Sequence, residues 1–327
     1  MKLKFALNLI VFILFSMATT AHAEAADRLM KKALRYFEPL PAQMPGAEND
    51  TADKIQLGKK LFFDARLSIN DKQSCSSCHR LEKGFAGVDN LPTSPGARGQ
   101  VGTRNSPTVL NSGFQTSQFW DGRAANLVEQ AKGPILNPIE MGMPSEKAVV
   151  AKLGAIAEYQ SAFKKAFPKA RPALTYQNIA EAIAAFERTL LTPSRFDDYL
   201  KGNTAALKEN EKQGLKTFIK INCVSCHDGN MLGGTSFEKL GKEHPYANQS
   251  DQGQYELSKE EDDRMVFKVS PLRNVALTAP YFHDGKVATL EEAVRLMARL
   301  QLDEKPTQQQ VSDMVSFLKA LTDKTYK

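Results

Sequence analysis

The chain has 327 residues, of which 42% are hydrophobic and 24% are charged, as in an ordinary globular protein. That composition excludes bulk disorder and low-complexity sequence, and the length predicts two domains. A net charge of +6 with a single tryptophan is too mild to indicate a nucleic-acid-binding protein.

The N-terminal 23 residues have the pattern of a secretory signal peptide. Lys2 and Lys4 precede a largely apolar run over residues 5–17, and Ala21-His22-Ala23 is a small-x-small cleavage site. A transmembrane anchor is the alternative, but the run is short for a bilayer. We therefore expect cleavage after residue 23, a periplasmic location and no membrane span in the mature chain.

Apolar residues recur at helical spacing over seven segments, which predicts a mostly α-helical fold. Ser145 and Thr289 stand where the N-caps of two of these helices are expected. Residues 81–106 and 229–254 are rich in Gly, Pro, Asn and Ser, and we predict that they form long loops. The predicted helices cover residues 53–63, 127–131, 146–167, 176–191, 205–219, 290–300 and 308–321.

All four cysteines lie in Cys-x-x-Cys-His motifs, which are Cys75-Ser-Ser-Cys78-His79 and Cys223-Val-Ser-Cys226-His227. This motif is the signature of c-type haem attachment. Its two thiols form thioethers with the haem vinyl groups, and the adjacent histidine becomes the proximal iron ligand. The sequence therefore predicts two covalently bound haem c groups, with His79 and His227 as proximal ligands.

Two other uses of these cysteines are a four-thiolate zinc site and a pair of structural disulfides. Zinc-binding Cys-x-x-Cys pairs usually lie about 15–20 residues apart, whereas more than half of the mature chain separates these two. Disulfides are compatible with an exported protein. Neither alternative explains why a histidine follows each pair.

The sequence contains an internal repeat. Residues 58–62 and 214–218 precede the two attachment sites with similar patterns, and the Asp-Gly pairs within 119–123 and 281–286 align the segments that follow. Arg104-Asn105 also resembles Arg273-Asn274. Two copies of one unit predict two cytochrome c-like domains with one haem each. We place them at residues 24–193 and 194–327.

The repeat also suggests how the two irons differ. Met297 lies twelve residues after the glycine of the second Asp-Gly pair, and the same offset in the first unit gives Pro134. A thioether opposite histidine raises the haem potential, as in electron-transfer cytochromes, whereas proline offers no ligand. The C-terminal haem is thus expected to be closed, with protein ligands on both sides of the iron. The N-terminal haem is expected to be open, with a ligand on one side only. Met231 and Met265 are the alternative ligands in the second half.

Glu140 lies shortly after Pro134, where a carboxylate could move a proton between the oxygens of bound peroxide. From its residue type alone, a surface carboxylate is the commoner interpretation. Gln130 by itself is a polar residue on a helix face.

Taken together, these motifs resemble the bacterial dihaem cytochrome c peroxidase family over essentially the whole mature chain. The resemblance is carried by both attachment motifs and by residues 104–108, 119–123, 130–134, 137–141 and 277–283. It implies that hydrogen peroxide reacts at the N-terminal haem. The C-terminal haem, held by His227 and Met297, would accept electrons from a small monohaem cytochrome c or a blue copper protein.

The resemblance also assigns residues that the patterns alone would not. It implies that Glu140 and Gln130 lie on the distal side of the N-terminal haem and that Trp120 lies between the two haems. It further implies an interdomain calcium ion held by Asn105 and by the carbonyl groups of Thr278 and Pro280. A homodimer is compatible with the sequence.

Two other functions stay open at this point. One is that of a similar dihaem enzyme that matures a tryptophan-derived quinone cofactor in another protein, but that group carries a tyrosine where we assign Met297. The other is a pure electron-transfer cytochrome, in which both irons would be six-coordinate and Glu140 would be incidental.

Many members of the family carry a histidine that closes the N-terminal haem until the other haem is reduced. Ala97 stands where that histidine is expected, and none of the five histidines falls on this loop. We therefore predict an N-terminal haem that is open in the ferric protein. Met141 and Met143 are the residues that could replace the missing ligand.

Overall fold

The computed structural model describes residues 27–325, so the predicted signal peptide lies outside the described residues. Residues 27–33 are helical. The helices that follow, numbered α1 to α11, are Ala52–Phe62, Cys75–Cys78, Leu127–Leu136, Glu146–Gly154, Ala157–Ala166, Tyr176–Glu187, Arg195–Leu200, Glu209–Lys220, Tyr255–Ser258, Leu290–Leu302 and Gln308–Ala320. The mostly α-helical prediction is confirmed. Within residues 27–325, no helix is long and apolar enough to cross a membrane.

Several predicted boundaries change in the structure. The single helix expected over 146–167 is two helices, α4 and α5, because the backbone is extended at Ile156 (φ −105°, ψ 110°). Glycine at the end of α4 is a poor helix former, and the break lets each helix bury its own apolar face. Two short strands pair antiparallel. The first, β1 (Phe237–Lys239), lies inside the predicted loop 229–254, and the second, β2 (Val266–Lys268), follows that loop. The caps are confirmed: Ser145 accepts from the Ala148 amide, and Thr289 accepts from that of Glu292.

Among the described residues, buried apolar side chains form two separate clusters. The first is built mainly from α1 and α3–α6, and the second from α7, α8, α10 and α11. Ala33 and Phe37, from the N-terminal segment, pack in the second cluster. The domain limits of 24–193 and 194–327 stay a prediction.

The two clusters share one packing arrangement. A Cβ atom on Gly58 would lie 1.7 Å from the Ala182 carbonyl oxygen, and one on Gly214 would lie 1.9 Å from that of Asp313. Both positions therefore need glycine, because the paired helices cross backbone to backbone. The aromatic contacts repeat as well: Phe62–Phe186 and Phe218–Phe317 meet edge to face at 5.2 and 5.6 Å.

The structure corrects one part of the repeat. Asn111 and Asn274 both adopt the left-handed conformation at the start of a 3₁₀ turn, Ser112–Phe114 and Val275–Leu277 respectively. Each of these two asparagines lies the same number of residues before the Asp-Gly pair of its own repeat unit. The predicted equivalence of Arg104-Asn105 with Arg273-Asn274 is therefore wrong, because a two-residue match carried less information than the spacing.

The two equivalent asparagines meet at one buried hydroxyl. The Nδ2 atoms of Asn111 and Asn274 donate to Thr192 Oγ1 at 2.5 and 2.8 Å, and the Thr192 amide donates back to Asn111 Oδ1 at 2.9 Å. Thr192 is 3% exposed and both asparagines are fully buried. This hydroxyl thus links the two repeat units.

We expect Thr192→Val to lower the free energy of unfolding by about 1–3 kcal/mol, because two buried amide donors lose their acceptor. Thr189→Val is the matched control, since Thr189 is exposed and bonds only locally, to the Phe186 carbonyl. Urea unfolding of both variants measures the difference. Equal midpoints for the two would contradict the linking role of Thr192.

Candidate functional site

The structure contains a cavity beside each Cys-x-x-Cys-His motif. The N-terminal cavity, about 580 Å³ in volume, is lined by Cys78 and His79. Two adjoining cavities of about 190 and 100 Å³ form the C-terminal site, and Cys223 and His227 line both. Because the two pairs flank different cavities, they do not form one four-thiolate site. The cysteines are not joined as disulfides.

Both motif histidines are oriented in the same way. His79 Nδ1 lies 3.1 Å from the Gly87 carbonyl oxygen, and His227 Nδ1 lies 3.1 Å from that of Leu232. This contact fixes the tautomer that leaves Nε2 as the metal-binding nitrogen. Burial lowers the pKa of both imidazoles, which favours the neutral form that a metal ligand requires. The residues around each cavity therefore fit a c-type haem.

The predicted ligand Met297 lies on α10 and lines both parts of the C-terminal site together with His227. Met314 also lines the larger part. Met265 is buried in the second cluster and Met231 is buried as well, and neither lines a part of the C-terminal site. The geometry thus brings Met297 and His227 to the same space.

Gln130 on α3 and Glu140 in the loop after that helix both line the N-terminal cavity with His79. Asn137 Nδ2 donates to Glu140 Oε1 at 2.7 Å and orients the carboxyl group. Burial raises the pKa of Glu140, and the Asn137 hydrogen bond and the charge of Arg123 oppose the rise. The carboxyl group is therefore poised to bind and release a proton at higher pH than an ordinary glutamate.

The loop that carries Ala97 packs directly on the Glu140 segment. The Ala97 amide donates to the Glu140 carbonyl oxygen at 2.7 Å, and a Cβ atom on Gly96 would lie 1.7 Å from the Ile139 carbonyl oxygen. Among the residues that the structure describes, His79 is the one histidine that lines this cavity. Met141 and Met143 are buried in the first cluster, away from the cavity wall.

Trp120 lines all three cavities, so it lies between the two sites. Its Nε1 donates to the Asn105 carbonyl oxygen at 2.8 Å. Its ring meets that of His283 edge to face at 6.4 Å, and His283 is the residue that the repeat aligns with Trp120. The two equivalent aromatic rings thus face each other across the interface between the repeat units.

The three predicted calcium ligands share one wall. Asn105, Thr278 and Pro280 all line the larger C-terminal cavity. Asn105 Nδ2 donates to the Leu91 and Pro92 carbonyl oxygens at 3.0 and 3.2 Å, which leaves Oδ1 as its ligand atom. Amide and carbonyl oxygens are hard ligands of the kind calcium prefers. Calcium binding at this wall stays a prediction.

Sequence reasoning missed two features of the site. Arg104 bonds Asp121 at 2.5 Å and Asp251 at 2.5 and 2.8 Å, so one guanidinium joins the two halves beside the N-terminal cavity. Glu187, at the end of α6, is buried and lines that cavity. Arg104 lies in one of the motifs that carry the family resemblance, whereas only the alignment of the paired helices draws attention to Glu187.

Comparisons with known proteins agree with this geometry. A family model described as di-haem cytochrome c peroxidase matches residues 52–205. Cytochrome c551 peroxidase of Pseudomonas aeruginosa is 46% identical, covering 91% of this chain and 88% of the relative. The protein of the same name from Nitrosomonas europaea is 47% identical, covering 88% and 84%. A crystal structure of a MauG-like protein associated with microbial copper homeostasis is 31% identical, with a TM-score of 0.76 over 87% of this chain and 94% of that chain.

Proposed function

Because this chain belongs to the di-haem cytochrome c peroxidase family, we propose that it reduces hydrogen peroxide to water with electrons from a small donor protein. The donor is a monohaem cytochrome c or a blue copper protein. The enzyme works in the periplasm after its signal peptide is removed. Residues 24–193 and 194–327 each fold around one haem c.

The observation that carries this proposal is the contrast between the two cavities. The C-terminal site brings a methionine, Met297, to the space beside His227, whereas the N-terminal site offers Glu140 and Gln130 beside His79. We therefore assign electron entry to the C-terminal site and peroxide reduction to the N-terminal site. When bound, the haem groups supply redox-active iron that accepts single electrons and cleaves the O–O bond.

The side chains of this chain prepare the reaction. Glu140, oriented by Asn137, takes a proton from one oxygen of peroxide and returns it to the other oxygen, which then leaves as water. Gln130 is placed to hydrogen-bond the substrate. Trp120, against both sites, provides the aromatic contact through which electrons pass inward.

Steady-state turnover tests the proposal. The mature protein with both haems is mixed with hydrogen peroxide and a reduced small cytochrome c, and oxidation of the donor is followed by absorbance. We expect two donor molecules to be oxidised for each peroxide consumed. Absence of turnover with cytochrome and copper donors alike would favour the electron-transfer or cofactor-maturation alternatives.

We expect the N-terminal haem to be open in the fully ferric protein, because Ala97 stands where a blocking histidine would lie. Electron paramagnetic resonance of the ferric protein should show one high-spin and one low-spin signal. Peroxide should react without prior reduction. Ala97→His should convert the high-spin signal to low-spin and make activity depend on adding one electron.

The neighbouring Arg98→His is the control for that variant and should keep the high-spin signal. Two low-spin signals in the parent protein would contradict the prediction. That result would direct attention to Met141 and Met143, although both are buried in the first cluster.

A further inference from the structure

The N-terminal cavity contains a carboxyl group that the proposed mechanism does not use. Glu187 is 4% exposed, and its Oε2 atom is fully buried without a hydrogen-bond partner among the described residues. Native proteins rarely leave a buried polar atom unpaired, because its desolvation is then uncompensated. Since Glu187 lines the cavity, the group that fills the cavity determines the environment of this carboxyl group.

The repeat shows that the fold does not require an acid at this position. Phe186 packs on Phe62 as Phe317 packs on Phe218, so the residue after each aromatic is equivalent. The counterpart of Glu187 is therefore Leu318, which is 3% exposed and lines the C-terminal cavity. The α8–α11 pair thus presents an apolar side chain to the electron-entry site, whereas the equivalent α1–α6 pair presents a carboxyl group to the peroxide site.

The charges around Glu187 do little to keep it ionised. Arg188 is adjacent, but its guanidinium is bound to Asp50 at 2.5 and 2.8 Å. Burial and the charges of Glu187 and Glu140 raise the pKa of the Cys75 thiol. That sulfur carries no charge once it is a thioether, so it does not affect the ionisation of Glu187. Burial raises the pKa of Glu187 to about 8, against the effect of Arg188. Besides Glu187, Glu140 and the thiol of Cys78, the ionisable residues that line the cavity are His79, Arg104, Asp121, Arg123, Asp251 and Glu256.

We propose that Glu187 is a redox-linked proton site, which binds one proton when the N-terminal haem is reduced and releases it when that haem is oxidised. For each electron that enters the haem, one proton from solvent is added to the Glu187 carboxylate, and no other bond changes. A ferric haem brings a positive charge that favours the carboxylate, and reduction removes it and favours the acid. The proposal rests on the proposed function in placing a redox-active haem in this cavity.

This role differs from that of Glu140. Glu140 is held by Asn137 and acts within one turnover on the atoms of the substrate. Glu187 has no such partner within residues 27–325, and it stores a proton beside the cavity while the oxidation state of the haem changes. Reduction of peroxide to two waters consumes two protons with two electrons, so a group that takes up a proton as each electron reaches the N-terminal haem keeps proton uptake in step with electron uptake.

The test is a redox titration of the N-terminal haem at a series of pH values from weakly acidic to weakly alkaline. We expect the potential of the parent protein to fall with rising pH, with a slope approaching one proton per electron. Glu187→Gln should remove most of that slope. Glu181→Gln, on the same helix but partly exposed and bonded to Gln177, should keep it.

Glu187→Leu is a second variant, which installs the side chain of the other cavity and should behave like Glu187→Gln. Infrared difference spectra of reduced minus oxidised protein give an independent measurement. They should show a carboxylic acid C=O band on reduction of the parent, absent in Glu187→Gln. Equal slopes in the parent and both Glu187 variants, or a carboxylic acid band that persists in Glu187→Gln, would overturn the proposal. Neither measurement uses peroxide turnover, so failure of the proposed function is detected separately.

Discussion

Glu140→Gln should lower kcat/KM for hydrogen peroxide by about 10²–10⁴-fold, while both haems stay covalently bound. That range is the contribution of general acid–base catalysis by one well-placed side chain. The amide keeps the shape of the side chain and its contact with Asn137, but it cannot take up and return a proton. Stopped-flow measurement of the peroxide reaction isolates this step from electron delivery by the donor.

Glu129→Gln is the matched control. Glu129 lies on α3 near the same cavity, but it is exposed and paired with Lys132 at 2.7 Å. It should stay within about threefold of the parent, because surface ion pairs contribute little. A similarly small loss for Glu140→Gln would remove Glu140 from the mechanism.

The pH dependence of activity provides a second test of the role of Glu140. The carboxylate must be ionised to accept the peroxide proton, so activity should fall as the pH drops through the pKa of Glu140. Burial raises the pKa of Glu140, which places this acid limb at higher pH than for an ordinary glutamate. In Glu140→Gln the residual rate should lack the limb.

Met297→His should leave the C-terminal haem low-spin but lower its potential by on the order of 100 mV, within the ~0.8 V range that axial ligands span. A thioether stabilises ferrous iron more than imidazole does. Each 59 mV of lowering reduces the equilibrium constant for accepting an electron from a given donor tenfold. Turnover with the small donor should therefore fall, while the peroxide reaction of pre-reduced enzyme changes little.

Met265→Leu is the control for that variant, since Met265 was an alternative ligand and lies buried outside the cavity. Its potential should match the parent. An unchanged potential in Met297→His, with a lowered one in Met265→Leu, would transfer the ligand assignment to Met265.

The sequence by itself determined the class of protein and predicted the covalent attachment of its haem groups. Two Cys-x-x-Cys-His motifs predict two haem groups because thioether attachment and proximal ligation depend only on neighbouring residues. Helical periodicity, caps and the Asp-Gly repeat are likewise local, so they predicted a mostly α-helical chain of two related units. Resemblance over these motifs identified the family, which the comparisons confirmed.

The tertiary structure decided what depends on distant segments. The break at Ile156, the β1–β2 pair and the pairing of Asn111 with Asn274 follow from how helices and loops pack, which periodicity does not encode. Glu187 and His283 look ordinary in the sequence, and they are distinguished by buried polar atoms that find no hydrogen-bond partner in the part of the chain that the structure describes. Burial depends on contacts between residues far apart in the chain, because the desolvation that shifts a pKa arises only when separate elements close around a side chain.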